Sequence, residues 1–304
     1  MGYDPRDPDG VTAMDKLELA DNFERQRPQL RAVAYRILGS VSDADDAVQE
    51  TWLRLARTDV EQIDTLDRWL TTVVSRICLN MLRSRRTRGE QPFERFLPEP
   101  IIDNPTAGTD PEHEALLAAA VGIALQVVLD TLSPAERLAF VLHDMFAVPF
   151  EEIAAMVDRS PQATRQLASR ARRRVRTVAP SPDPDLTRQW AVVDAYFAAV
   201  REGDLQALVA VLDPDVVLRA HRRDGDPLEL YGVAQVAEGA MGARRFAPYV
   251  RSALVNGAAG AVAFDGERPF AVLAFTVVGD RALAIDVFNH PELVGKLDIR
   301  GITV

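Results

Sequence analysis

Arginine side chains are concentrated in two short stretches of a chain that is otherwise mostly acidic. The sequence of 304 residues carries a formal net charge of −10. The first basic stretch holds Arg83, Arg85, Arg86 and Arg88, and the second holds Arg170, Arg172, Arg173, Arg174 and Arg176. Because phosphate binding needs local positive charge, two basic patches on an acidic protein predict binding to a defined nucleic-acid site within a larger assembly.

The second basic stretch follows a pattern that predicts a helix-turn-helix. Residues 149–157 predict a first helix, residues 158–160 a tight turn, and residues from Gln162 onward a second helix. Ser160 is a favourable N-cap for the second helix, and Pro161 suits its first position. A four-residue repeat predicts one apolar stripe that packs on the rest of the domain, formed by Ala163, Leu167, Ala171 and Val175.

The opposite face of that helix predicts the DNA contacts. In a helix-turn-helix the N-terminal part of the second helix reaches base edges, and later basic side chains neutralise phosphates. The predicted base-reading residues are Gln162, Arg165, Gln166 and Ser169, and the predicted phosphate-binding residues are Arg172, Arg173 and Arg176. A solvated helix end that only complements the helix dipole is the alternative. The turn, the cap and the stripe occur together, which favours DNA reading.

Two further segments admit more than one interpretation on their residues alone. Residues 43–55 begin with aspartates, which are favourable at any helix N-terminus on dipole grounds. Residues 68–88 place basic side chains near Trp69, an arrangement that suits strand-separated DNA, although a tryptophan on a helix is more often part of a core.

Proline-rich breaks divide the elements that position these residues. The predicted organisation is a disordered tail at 1–13, a helical domain at 14–90, a linker at 91–111, a helical domain at 112–178, a linker at 179–185 and an α+β domain with an antiparallel sheet at 186–304. Local signals include a capping box from Ser133 to Glu136, a helix stop at Gly203 and turns at Gly266 and Gly279.

Composition narrows the classes of protein to consider. The lone cysteine, Cys78, excludes an intramolecular disulfide and any multi-cysteine zinc site, and the scattered histidines give no metal-ligand spacing. We expect no metal and no cofactor. No run of about 18 apolar residues and no signal-peptide pattern occurs, so we expect a cytoplasmic protein with no membrane contact.

The helical segments resemble a known family. Residues 43–55 resemble the helix of sigma-factor region two that grips core RNA polymerase, residues 68–88 resemble the helix that recognises and melts the promoter, and residues 132–176 resemble region four, which reads the minus-thirty-five element. Two domains in this order resemble the extracytoplasmic-function (ECF) class of sigma factors. The resemblance covers about the first 178 residues.

The resemblance implies partners and site residues. It implies core RNA polymerase and promoter DNA as partners. The implied polymerase-binding residues are Asp43, Asp46, Gln49, Glu50, Trp52 and Leu53. The implied DNA-binding residues of region two are Arg76, Asn80, Arg83, Arg85 and Arg86.

The first linker narrows the resemblance further. Phe96, Leu97, Pro98, Glu99 and Pro100 are similar to the WLPEP linker motif of the SigJ-like group, with phenylalanine in place of tryptophan. That group carries a C-terminal SnoaL-like domain of the NTF2-like fold. Exposing apolar surface to water is unfavourable in free energy, and such surface is predicted at Phe96, Leu97, Pro98 and Ile101. We therefore expect an intramolecular contact in which the C-terminal domain covers the linker.

The C-terminal domain offers a few polar groups that could do acid-base chemistry. The candidates are His221, Asp286 and His290, with Tyr231 and Tyr249 as hydrogen-bonding walls. They form no tight acid-base grouping in the sequence, so we predict no catalytic residue and a domain that regulates the sigma factor in cis. The alternative is a DNA-binding regulator whose C-terminal domain binds or converts a small ligand.

Overall fold

The computed structural model describes residues 13–59, 63–87, 98–103, 122–178, 183–221, 228–297, 299 and 302. Residues 1–12 of the predicted tail, most of both linkers and the motif residues Phe96 and Leu97 lie outside the described residues. Ala13, the last residue of the predicted tail, is the first residue of a helix. Helical domain one consists of α1 (Ala13–Leu38), α2 (Val41–Leu55) and α3 (Leu66–Thr87). Helical domain two consists of α4 (Ile123–Asp130), α5 (Pro134–Phe140), a π-helical turn (Val141–Met145), α6 (Phe150–Val157) and α7 (Pro161–Val178). None of the described helices is long and apolar enough to cross a membrane.

Helix boundaries follow the capping chemistry of the sequence. The Ser133 hydroxyl accepts from the Glu136 amide while the Glu136 carboxylate accepts from the Ser133 amide, so the predicted capping box is confirmed. The Ser160 hydroxyl accepts from the Ala163 amide at 3.2 Å and caps α7. Asp158 closes α6 in the left-handed conformation, at φ 55°. These caps fix the turn of the predicted helix-turn-helix.

The α+β domain begins with α8 (Leu186–Glu202) and α9 (Leu205–Val211). Gly203 ends α8 at φ 77°, and Asp204 caps α9 through the Ala207 amide. The strands are β2 (Leu212–His221), β3 (Leu228–Tyr231), β4 (Val250–Val255), β5 (Ala258–Asp265), β6 (Arg268–Val278) and β7 (Arg281–Phe288). Between them lie α10 (Gly232–Gly242) and a 3-10 turn (Arg244–Tyr249), and α11 (Pro291–Val294) follows β7.

The sheet has the order β1-β4-β5-β6-β7-β2-β3, in which β1 is Ile102–Asp103. The hairpin turns predicted at Gly266 and Gly279 are present, each with a positive φ. The prediction of an antiparallel sheet is corrected at one place: β2 and β7 pair in parallel, from Leu212↔Ala282 to His221↔Phe288. A parallel pair needs a long crossover connection, here the chain from β3 through β6, which strand composition does not reveal.

Strand β1 (Ile102–Asp103) comes from the first linker and not from the C-terminal part of the chain. It pairs antiparallel with β4 in the register Ile102↔Val255 and Asp103↔Leu254. Two linker residues therefore pair with β4. Without them, the outer backbone groups of β4 would be the unpaired hydrogen-bonding groups of an edge strand.

The buried apolar side chains of the described ranges form three clusters. One cluster joins both helical domains and includes Leu30, Leu70, Leu138 and Ile153, all at most 1% exposed. A second packs α8 and α10 on the sheet, with Tyr196, Phe197 and Phe275 in mutual edge contact. A third lies on the other face of the sheet and includes Ile102 of the linker. Because the helical domains share one core, they pack directly on each other.

Candidate nucleic-acid interface

The polar face of α7 is exposed along most of its length. On the opposite side of α7, Thr164, Ala168 and Ala171 are the fully buried side chains between residues 161 and 176. The predicted stripe is confirmed in part, because Ala171 is buried and Leu167 and Val175 pack against the shared core, whereas Ala163 is only half-buried. The Thr164 hydroxyl donates to the Ser160 carbonyl at 3.0 Å, so a polar residue can face the core without an unpaired group.

The residues predicted to read DNA lie on that exposed face or at its border. Gln162, Arg165, Gln166, Ser169, Arg173 and Arg176 are exposed, and Arg172 is half-buried. Arg165 pairs with Glu151 of α6 at 2.7 Å, and Arg172 pairs with Asp144 at 2.6 Å. The two ion pairs hold the guanidinium groups of Arg165 and Arg172 next to the exposed face of α7. The Arg165 pair is exposed on both sides, so it costs little to exchange Glu151 for a phosphate.

Helix α3 presents a second polar line. Arg76, Asn80 and Arg83 are exposed and lie on one side of the helix at spacings of four and three residues. The Arg76 guanidinium donates to the Ala155 carbonyl of α6 at 2.9 Å. One predicted DNA-binding residue of helical domain one therefore contacts helical domain two.

Arg85 and Asp43 have a structural role that the sequence did not indicate. Their side chains form an ion pair between α3 and the start of α2, and both are largely buried. Arg85 also donates to the Leu38 carbonyl at 3.3 Å. The pair ties the predicted promoter helix to the predicted polymerase-binding helix, which leaves Arg83 and Arg86 as exposed arginines at the end of α3.

The outer face of α2 carries the other predicted polymerase-binding residues. Asp46, Gln49 and Leu53 are exposed, and Leu53 is unusual for a leucine at 41%. Glu50 pairs with Arg54 at 2.9 Å, whereas Trp52 turns inward and packs on Phe23 with ring centroids 5.0 Å apart. An apolar side chain inside an acidic exposed face is the composition expected of a protein-binding surface.

The end of α3 and the start of α7 face each other across a cleft of about 690 Å³. Arg83 and Arg86 line it from helical domain one, and Arg159, Gln166 and Arg170 line it from helical domain two. The two predicted DNA-binding surfaces therefore share one basic cleft in this arrangement.

We call the packing of helical domain one on helical domain two the helical junction. Besides its apolar core, it has polar contacts at its rim, including Arg68–Glu152 at 3.1 Å and the Arg36 guanidinium 4.9 Å from the centre of the Phe146 ring. At its centre Gln126 and Arg137 are buried, at 0% and 3% exposed.

Those two central side chains are poorly satisfied. Arg137 pairs with Asp130, yet its Nε and Nη2 atoms and both polar atoms of the Gln126 amide have no hydrogen-bond partner among the described residues. Both side chains lie against the α1–α2 turn, because a Cβ at Gly39 would be 2.7 Å from Gln126 Nε2 and 3.3 Å from Arg137 Nη2. Buried donors without acceptors weaken the helical junction.

We call the contacts of residues 98–103 the linker junction. On its first side Glu99 binds the start of α2. The Glu99 carboxylate accepts from the Val41 amide at 2.8 Å and from the Ser42 amide at 3.3 Å, and the Glu99 amide donates to the Gly39 carbonyl at 2.8 Å. Since α2 begins at Val41, a linker carboxylate caps the predicted polymerase-binding helix.

On its second side the linker junction binds the β4–β5 turn. The Asn256 Oδ1 atom accepts from the Ile101 amide at 2.7 Å, and the Asn256 amide donates to the Ile101 carbonyl at 2.8 Å. Asn256 Nδ2 donates to the Tyr35 hydroxyl at 3.2 Å, which itself donates to the Glu99 carbonyl at 2.8 Å. Burial raises the pKa of Tyr35, so its hydroxyl stays protonated and can donate.

Tyr35 and Asn256 are functional candidates that the sequence reasoning missed. Asn256 has φ 51° and is followed by Gly257 at φ 74°, the Asn-Gly combination of a tight hairpin turn. That dipeptide could have revealed the turn between β4 and β5. Nothing local could have revealed its partner, because Tyr35 is 221 residues away in the chain.

The described members of the predicted acid-base set have separate surroundings. Asp286 is fully buried and accepts from Arg219 Nε at 2.6 Å and from Arg219 Nη2 at 3.0 Å. Tyr231 and Tyr249 are at least half-exposed, and His290 precedes α11. The side chain of His221 lies outside the described residues. Both oxygens of the Asp286 carboxylate are therefore already occupied by a guanidinium.

Comparison with known protein families gives two matches. Residues 23–88 match sigma-70 region 2, and residues 123–175 match sigma-70 region 4. The first match spans most of helical domain one, and the second spans α4 to α7.

Whole-chain comparison extends the similarity to the α+β domain. The chain is 40% identical over 293 residues to the ECF RNA polymerase sigma factor SigJ of Mycobacterium tuberculosis, covering 90% of this chain and 93% of that protein. It is 37% identical to the probable ECF sigma factor SigI of the same species over 67% of this chain and 70% of that protein. The crystal structure of M. tuberculosis SigJ superposes with a TM-score of 0.75 at 36% identity, covering 92% of this chain and 100% of that one.

Proposed function

The chain belongs to the ECF family of RNA polymerase sigma factors, and on this basis we propose a function for each of its domains. It binds core RNA polymerase, recognises promoter DNA and initiates transcription. The observation that carries this function is the coexistence of both sigma regions with an exposed helix-turn-helix face on α7. Purified protein with core polymerase is expected to start transcription from a defined promoter, and failure of the folded protein to do so would exclude it.

Sequence reading is assigned to the exposed face of α7. Arg165 and Gln166 lie near its start, where side chains reach base edges, and Arg176 lies near its end. Arg165→Ala or Gln166→Ala is expected to cost about 1–3 kcal/mol at the cognate promoter and to relax sequence preference, whereas Arg176→Ala weakens binding to all sequences and lowers the salt dependence. Equal effects of all three variants on cognate and unrelated DNA would contradict the assignment.

Binding to core RNA polymerase is assigned to the exposed face of α2. Asp46 is exposed and Glu50 has only a surface partner, so reversing both charges disturbs no buried group. Asp46→Lys with Glu50→Lys is expected to abolish co-purification with core polymerase and to leave the helical circular dichroism unchanged. A matched control is Asp204→Asn, a cap in the α+β domain that is remote in sequence from α2.

The α+β domain is proposed to regulate the sigma factor in cis through the linker junction. This proposal is supported by three groups that meet there: the cap of α2 at Glu99, the Tyr35 hydroxyl of α1 and the Asn256 side chain of the β4–β5 turn. Any change in the α+β domain that moves Asn256 therefore acts on the start of the polymerase-binding helix. It also acts on the linker that sets the distance between the two DNA-binding domains.

Removal of residues 181–304 tests this regulation. The helical domains share a core of their own, so the shortened chain keeps most of its packing. Transcription by equal amounts of soluble protein is expected to differ several-fold from that of the full chain, and Asn256→Ala in the full chain should change it in the same direction. Unchanged transcription in both would reject the regulatory proposal.

We further infer that the α+β domain is not itself an enzyme and that the protein works in the cytoplasm beside the polymerase. The inference is supported by the bidentate Arg219–Asp286 pair and by the aromatic side chains Tyr196, Phe197 and Phe275, which fill the space between α8 and the sheet. A turnover assay that depends on Asp286 and dies with Asp286→Asn would favour the catalytic alternative.

A further inference from the structure

The basic cleft between α3 and α7 concentrates positive charge from two different domains. Its arginines are Arg83, Arg86, Arg159 and Arg170. Arg170 pairs with Glu136 at 2.8 Å, but the guanidinium groups of Arg83, Arg86 and Arg159 form no ion pair or hydrogen bond with any described residue. All three are exposed, so each is free to bind an anion.

This arrangement is electrostatically unfavourable without an anion. Like charges that converge on one cleft repel, and repulsion between Arg83 or Arg86 on one domain and Arg159 on the other opposes the helical junction. The junction is already weakened at its centre by the unsatisfied atoms of Gln126 and Arg137. A multivalent anion between the domains would replace the repulsion with attraction.

We propose that this cleft is a binding site for a small polyphosphate-bearing anion that stabilises the packing of helical domain one on helical domain two. Its volume of about 690 Å³ lies in the range of small-molecule sites. Guanidinium groups bind phosphate oxygens in a bidentate manner, and the side-chain amide of Gln166 adds a hydrogen-bond donor to the lining. Free oligophosphate and the phosphate chain of a nucleotide share this chemistry.

The proposal has a consequence for DNA binding that rests on the proposed sigma function. Arg83, Arg86 and Gln166 belong both to the cleft and to the surfaces assigned to promoter DNA. An anion in the cleft and promoter DNA therefore exclude each other, and by linkage each lowers the affinity of the other by the same factor.

The direct test measures tripolyphosphate binding to the full chain by titration calorimetry at physiological salt. Arg159 is the discriminating residue, because it lines the cleft without belonging to the assigned DNA-binding set. Arg159→Ala is expected to weaken binding about tenfold, the loss of one charge-assisted contact. The control Arg57→Ala removes an exposed arginine outside the cleft and should leave binding unchanged. Equal affinity in the two variants, or no binding to the parent protein, overturns the proposal.

Two further arms separate the source of the phosphate and the role of both domains. ATP that binds tighter than tripolyphosphate identifies a nucleotide site, and the reverse order identifies free oligophosphate; either supports the cleft. Hydrogen exchange should slow in both α3 and α6 on binding. Protection confined to α7 would mean that one domain binds the anion alone and would overturn the two-domain site. These binding measurements need no polymerase, so they can succeed even if the sigma function fails.

Discussion

Helical domain one is held by two junctions that differ in how well their polar groups are satisfied. The linker junction is small, but each of its central groups has a partner: Tyr35 donates to Glu99, and Asn256 binds both Ile101 and Tyr35. The helical junction is larger and apolar, yet it buries Gln126 and Arg137 with unpaired atoms. Satisfied polar contacts specify one geometry, whereas unsatisfied ones lower the cost of separation.

The difference suggests a division of roles. A junction whose polar groups are all hydrogen-bonded is suited to stay closed. A junction with unpaired buried groups is suited to open, because opening lets those groups bind water or a new partner. The proposed DNA-binding faces of α3 and α7 share a cleft across the helical junction. We therefore expect promoter binding to separate the helical domains while the linker junction stays closed.

The largest expected effect comes from removing the Asn256 side chain. Asn256→Ala leaves the buried Ile101 amide without its acceptor and places alanine at φ 51°, where asparagine is better tolerated. We expect a loss of about 2–4 kcal/mol of unfolding free energy and faster exchange of the linker amides. The control Asn80→Ala, on the exposed face of α3, should change neither. Parent-like exchange at Ile101 would show that the linker junction is weaker than its hydrogen bonds indicate.

Removing the Tyr35 hydroxyl is a smaller change at the same junction. Tyr35→Phe keeps the ring, which is fully buried, and leaves Asn256 Nδ2 and the Glu99 carbonyl without that partner. We expect a loss of about 1–2 kcal/mol in urea unfolding. Tyr249→Phe changes a half-exposed tyrosine and serves as the matched control. A loss equal to that of the control would mean that the hydroxyl contributes nothing.

At the helical junction we expect a substitution that raises the free energy of unfolding instead of lowering it. Gln126→Leu removes a fully buried amide whose two polar atoms are unpaired and replaces it with a side chain of similar size. We expect a gain of about 1 kcal/mol in unfolding free energy and weaker promoter binding, because the domains separate less readily. The exposed Gln206→Leu is the control. A destabilised variant would show that Gln126 has polar partners in solution.

The smallest effect is expected at the rim of the helical junction. Arg68 is 63% exposed in its ion pair with Glu152, so solvent and salt screen the attraction. Arg68→Ala should change the unfolding free energy by less than about 0.5 kcal/mol at physiological salt. A much larger loss would show that the rim contacts stabilise the helical junction strongly. The helical junction would then not be weaker than the linker junction.

The sequence predicted what depends on local chemistry and missed what depends on distant partners. Ser133, Ser160 and Gly203 act within a few residues, and each cap was correct. The apolar stripe of α7 was correct at Leu167, Ala171 and Val175, but the burial of Thr164 was missed, because threonine counts as polar in a pattern although its hydroxyl bonds within the helix. The ion pair of Asp43 with Arg85 was missed for a different reason, since both side chains also suit a surface role.

The linker junction marks the limit of such reasoning. Glu99 belongs to a motif that the sequence did single out, but its role as a cap requires a helix that begins 58 residues earlier. The expected cover of the linker involved Phe96, Leu97, Pro98 and Ile101. Ile101 is buried and its backbone binds Asn256, whereas Phe96 and Leu97 lie outside the described residues, so their part stays a prediction. Proximity of residues this far apart is set by the packed domains and not by any local preference.

The cap at Glu99 also has a consequence for the order in which the protein is made. Synthesis proceeds from the N-terminus, so α2 leaves the ribosome well before Glu99, which follows Val41 by 58 residues, and long before Asn256, which follows Tyr35 by 221. A chain that ends before Glu99 lacks the linker carboxylate at the first turn of α2, the predicted polymerase-binding helix. A chain that ends between Glu99 and Asn256 has that carboxylate but lacks the side chain that binds Tyr35 and Ile101 and holds the linker in place.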